Sequence, residues 1–149
     1  MSWVWIVRIA VAAVLLLIEG IRDLKTKEID MVVPVFSAVA AVILAFVGKD
    51  PGVISMLFGI AEGIVLIVLS FLTKGGIGQG DGIILCVTGL MFGWKANLIM
   101  FFWGCLICAV TSLILMLLKK ADRKTGIPFI PFLFPALFIT VLPNGLIRI

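Results

Sequence analysis

A chain of 149 residues that is 63% hydrophobic and 13% charged, with a net charge of +4 and mean hydropathy +1.33, is not composed like a soluble protein. Soluble domains run nearer ~45–50% apolar and ~25% charged, so the composition predicts an integral membrane protein, one domain over 1–149. No stretch is long enough for a separate soluble domain, and nucleic acid is not an expected partner.

A helix crossing the ~30 Å hydrocarbon core needs about 20 mostly apolar residues. The first run, 3–21, begins with Trp3 and Trp5, which suit an interface. No basic region precedes it and no small-residue cleavage site follows, so it reads as a retained span rather than a signal peptide. Further runs lie at 31–47, 53–72, 77–93, 97–118 and 127–147. The predicted fold class is an all-α membrane protein with six transmembrane helices.

The charges orient these spans. The breaks "RDLKTKEID", "TKGG" and "KKADRKTG" carry Arg22, Lys25, Lys27, Lys74, Lys119, Lys120, Arg123 and Lys124, eight of the twelve basic residues. Arg8, Lys49, Lys95 and Arg148 lie toward the opposite side. The positive-inside rule then places the basic loops in the cytoplasm and both termini outside. On this arrangement Asp23, just past span one, and Asp81, about a turn into span four, reach the same face and can meet if those spans are neighbours.

Asp81 sits in "GGIGQGDG", 75–82, where five of eight residues are glycine. In a helix these would cost about 4–5 kcal/mol against alanine, which predicts loop or loosened helix. Irregular backbone at membrane depth survives only beside protein or a water-filled cavity. A phosphate loop is excluded, because lysine would be needed where Asp81 stands. Three readings stay open. The spacings Gly76/Gly80, Gly78/Gly82 and Gly89/Gly93 suit close helix packing but leave the aspartate unexplained. A proton or ion relay explains the aspartate and leaves the glycines idle. A protease uses both: two nearby aspartates share one proton, one activating water and the other polarising the carbonyl. Side-chain-free backbone there lets an extended substrate strand approach closely.

Gly78-Gln79-Gly80-Asp81 resembles the signature of the membrane-embedded GxGD aspartic proteases. Pro135-Ala136-Leu137 is reminiscent of the presenilin branch, but that branch carries Tyr-Asp and this chain has no tyrosine. The prepilin peptidase (type IV leader peptidase) branch is similar along most of the chain. "GGIGQGDGIIL" looks like its second aspartate motif, "DLKTKEI" (Asp23 to Ile29) like the segment opening at its first aspartate, and "IPFIPFL" (Ile127 to Leu133) like its proline-phenylalanine motif. Asp30 and Met31 replace the usual Pro-Asn, and Ile83 stands in place of a lysine that this chain either does without or replaces with Lys74.

The resemblance implies an aspartic endopeptidase that removes the short basic leader from prepilin or pseudopilin-like substrates at the cytoplasmic boundary. Asp23 and Asp81 would be catalytic, Gly78 and Gly80 would shape the site, and Pro128, Phe129 and Pro131 would wall it. Glu19, one turn before Asp23, reads either as facing the same cavity or as an interfacial acid near water, and Asp30 would cap span two while adding negative charge near Asp23. No room exists for the cysteine-containing insertion linked to N-methylation, so a peptidase without methyltransferase activity is expected. No cofactor or metal is expected: histidine is absent, and Cys86, Cys105 and Cys108 read as small packing residues. Glu62 is expected to be neutral and inward-facing in span three, with Arg8 a candidate partner. Homo-oligomerisation is left open.

Overall fold

The computed structural model describes residues 3–48, 50–74, 76–120 and 126–146, with side chains to 142. Lys49, Gly75, Arg123, Lys124 and Arg148, used above, lie outside the described residues. Five helices follow one another: α1 (Trp3–Thr26), α2 (Val32–Gly48), α3 (Val53–Leu72), α4 (Gln79–Leu117) and α5 (Ile130–Leu146). Three of them, α1, α3 and α4, are long and apolar enough to cross a membrane. The outward faces of the helices are greasy as well: Phe46 on α2, Val53 on α3 and Leu117 on α4 are each more than 70% exposed, which only a lipid environment tolerates.

Two expected spans, 77–93 and 97–118, are here a single element. A straight helix the length of α4 would extend about 58 Å, nearly twice the hydrocarbon thickness. It is not straight. Gly93 has φ 74° and ψ 172°, outside helical space, and is buried against Pro51 and Ser55. Nine residues of straight helix advance about 13.5 Å, yet Thr88 Oγ1 and Asn97 Oδ1 are 2.6 Å apart. The Asn97 amide also donates to the Leu85 carbonyl at 3.1 Å. The chain therefore folds back at Gly93 into a first arm, 79–92, and a second arm, 94–117. Glycine makes this possible because a Cβ disfavours that backbone conformation.

Helix ends also differ from the hydropathy boundaries. α1 continues to Thr26, so Asp23 lies inside its last turns rather than beyond them. Hydropathy marks where lipid ends; the polar residues that follow include good helix formers, and the helix carries on into them. α5 begins at Ile130, with Pro131 in its first turn, where the missing N–H costs nothing. Lys27, Lys74 and Lys119, just past the ends of α1, α3 and α4, each take a left-handed turn with φ between 51° and 55°. Cations suit these positions because they face the negative end of the helix dipole.

α3 runs antiparallel to the first arm at backbone contact. A Cβ on Gly59 would fall 2.6 Å from the Gly89 carbonyl oxygen, and one on Gly63 would collide with Gly82 and Cys86. Gly82 and Gly89 thus serve packing, across a Gly59-x-x-x-Gly63 stripe on α3. α5 packs on the second arm, with Gly104 against Leu133 and Phe129, and on α1, with Pro131 against Gly20. α1 and α4 touch only sparsely. Trp5 meets Phe92 edge-on at one end, and at the other the two helices diverge around a cavity.

Candidate active site

Asp23 is held between the end of one helix and the start of another. Its carbonyl accepts the Lys27 N–H at 3.2 Å, closing α1, and its Oδ2 accepts the Ile130 N–H at 3.3 Å. Ile130 opens α5, and the unpaired N–H groups of a helix start are natural partners for a carboxylate. That contact explains why the α5 approach stands beside Asp23.

Asp81 lies in the first turn of α4, its N–H donating to the Gly78 carbonyl at 3.2 Å. The preceding glycine strand is irregular, as expected, and is tied back to α3: the buried Ser70 hydroxyl donates to the Ile77 carbonyl at 2.5 Å. Gly78 and Gly80 have separate reasons for lacking side chains. A Cβ on Gly78 would sit 2.9 Å from Asp81 Oδ2. On Gly80 it would overlap Ile29 Cδ1, from the loop between α1 and α2.

Both carboxyl groups open onto one cavity of about 680 Å³. Its walls come from the end of α1, the 27–31 loop, Ser70, the glycine strand and the 126–130 approach to α5, including Pro128 and Phe129. Asp23 and Asp81 are close enough to act on each other electrostatically, and Lys27 acts on Asp23. Cys105 and Cys108, on the returning second arm, lie within electrostatic reach of Asp81.

Four other expected residues stand elsewhere. Pro131 faces Gly20 and lines no part of the cavity. Lys74 is exposed on the turn after α3, also off the cavity. Lys27 is the cation that does line it. Glu19 is fully buried away from it, its Oε2 accepting the Asp30 N–H at 3.3 Å. Asp30 caps α2 through Val32 N–H at 3.0 Å and pairs with Arg22 at 2.5 Å. The Val32 N–H, then Arg22, hold its carboxyl below the ordinary carboxylate range. Its charge is therefore matched by Arg22 rather than directed at Asp23. Glu19 and Asp30 together fasten the 27–31 loop to α1, and this loop carries Lys27, Glu28, Ile29 and Met31 to the cavity wall.

Lys27 was legible only as a topology charge, and Ser70 only as the end of an apolar run. Glu62 and Arg8 do not pair. Arg8 Nη2 donates to the carbonyls of Leu44 and Asp50, whereas Glu62 Oε2 accepts from Asn97 at 2.8 Å.

A model of the type IV leader peptidase family matches residues 10–113, more than half of the chain. The chain belongs to the type IV leader peptidase family. The matched range takes in both Asp23 and Asp81 and ends before α5, so the "IPFIPFL" segment lies beyond it. Comparison with curated proteins and with solved structures gave no match. As a type IV leader peptidase with long apolar helices, the chain is a membrane peptidase, and its family implies a prepilin class of substrate.

Proposed function

We propose that this leader peptidase is an aspartic endopeptidase using Asp23 and Asp81 as its catalytic pair. The observation that carries the reading is that these two carboxyl groups, far apart in sequence, line a single cavity and interact. Repulsion between neighbouring carboxylates favours a shared proton. The ionised member takes a proton from water as the water attacks the scissile carbonyl. The protonated member polarises that carbonyl and then protonates the departing amine. The two roles are interchangeable in this account, and both forms are needed, so activity falls at acid and alkaline extremes.

In the membrane, the fold is read as six passes, with α4 supplying two, both termini outside and the basic helix ends in the cytoplasm. The cavity then meets the short basic leader of a prepilin or pseudopilin where its hydrophobic helix enters the inner membrane. Gly78 and Gly80 shape the site by leaving room for the Asp81 carboxyl and for Ile29, and Pro128 and Phe129 close the far wall. The product is the trimmed chain.

The experiment is co-expression with a prepilin followed by leader detection. Asp23→Asn and Asp81→Asn each remove an acid–base group worth about 10²–10⁴-fold, so cleavage drops at least that far while membrane insertion persists. Wild-type cleavage by either variant overturns the pair. Proton flux in liposomes lost in the same variants, without any cleavage in the parent, supports the relay instead.

A further inference from the structure

Away from the cavity, a second concavity of about 400 Å³ opens sideways between α3 and the second arm of α4. Its wall is apolar, with Phe58, Leu69, Trp94 and Phe101 around it and Leu85 at its floor. Phe58 is 60% exposed, so the opening faces the surroundings of the helices, which in this protein means lipid. Glu62 is the one ionisable residue among the described lining.

Behind Glu62 the polar groups are already committed. Asn97, fully buried, bonds Thr88 through Oδ1 at 2.6 Å and directs Nδ2 to Leu85 O and to Glu62 Oε2. Among the described residues no cation pairs with Glu62; Lys95 instead lies over the Trp94 ring, 5.8 Å from its centroid. An uncompensated carboxylate at membrane depth costs at least ~2.5 kcal/mol, so the acid form is favoured there. Asn97 occupies Oε2 as a donor, which leaves the acid's own O–H, on the other oxygen, in need of an acceptor.

We propose that this groove is a lipid-accessible binding site for small lipophiles bearing a hydrogen-bond acceptor, with Glu62 as the acid donor. Glu62 is by the same argument a site of covalent modification by lipid-soluble carbodiimides. The carboxylic O–H adds across one C=N bond: the proton goes to nitrogen and the carboxyl oxygen to the central carbon. The O-acylisourea then transfers its acyl group to nitrogen, giving a stable N-acylurea with no leaving group and no redox change. None of this depends on the catalytic pair.

The test uses the full chain in lipid nanodiscs at pH 7, treated with dicyclohexylcarbodiimide and read by peptide mass spectrometry. Glu62, reached from the lipid, is labelled several-fold faster by this lipid-soluble reagent than the exposed Glu28, and the adduct is missing in Glu62→Gln. Prior addition of a long-chain fatty-acid methyl ester slows labelling several-fold, and a water-soluble cationic carbodiimide does not reach the site. The proposal is overturned if Glu62 reacts no faster than Glu28, if the cationic reagent labels it equally, or if the ester leaves the rate unchanged.

Discussion

Replacing Gly80 by alanine sets two opposed effects against each other beside Asp81. Gly80 is already helical, and alanine is favoured over glycine in a helix by about 0.8–1 kcal/mol. Against this, the new Cβ overlaps Ile29 Cδ1 and lies 2.6 Å from Cγ1, an overpacking worth about 1–3 kcal/mol. The net in the parent is a loss of about 0–2 kcal/mol. With Ile29→Ala as background, only the Ile29 Cβ position at 3.7 Å remains, an ordinary contact. The helix preference then acts alone, and Gly80→Ala becomes neutral or stabilising by up to about 1 kcal/mol. A double-mutant cycle on reversible unfolding in mixed micelles measures this sign change. Equal effects in both backgrounds, within ~0.5 kcal/mol, would refute the packing of the 27–31 loop on the start of α4.

The other contacts yield shorter predictions. Ser70→Ala removes the bond that ties the glycine strand to α3, costing about 0.5–1.5 kcal/mol in unfolding measurements; leader cleavage slows because Asp81 follows that strand. Asn97→Leu breaks the Thr88–Asn97–Glu62 chain and lowers stability by about 1–2 kcal/mol in the same assay, given ~0.6 per bond within membranes. Asp30 has its pKa depressed in the folded state by Val32 N–H and Arg22. Its stabilisation is thus present at neutral pH and lost as pH falls through that lowered value. Asp30→Asn accordingly lowers Tm at pH 7, and the gap to the parent closes on acidification. Lys74→Ala leaves kcat/KM for a prepilin peptide unchanged, whereas Lys27→Ala changes it, because only Lys27 lines the cavity beside Asp23.

Much of this was legible in the sequence because it depends on chemistry that carries its own cost. A carboxylate among glycines in a greasy chain marks irregular backbone and water, and the structure brings Asp81 and Asp23 to one cavity. Six apolar runs were visible too, but not that two of them share one helix element. Gly93 was read as half of a Gly89/Gly93 packing pair, and nothing local reveals a left-handed backbone until Pro51 and Ser55 press on it. The stripe Gly59-x-x-x-Gly63 has the same spacing, and it is this one that sets the α3–α4 contact. Side-chain direction was the weakest inference. Glu19 sits one turn from Asp23, yet it turns away to hold the Asp30 N–H, since a partner outside the helix decides where a buried acid points.

The reversal at Gly93 has a consequence for how the molecule tolerates change. With a single residue between the arms there is no slack to absorb an insertion. One extra residue after Gly93 turns the second arm by about 100° about its axis. Asn97 would swing away from Thr88 and Glu62, and Gly104 away from Leu133. The register set at this tip is thereby transmitted down the returning arm to the level of Asp81, so a lesion at the opposite rim of the bundle reaches the aspartate cavity without touching it.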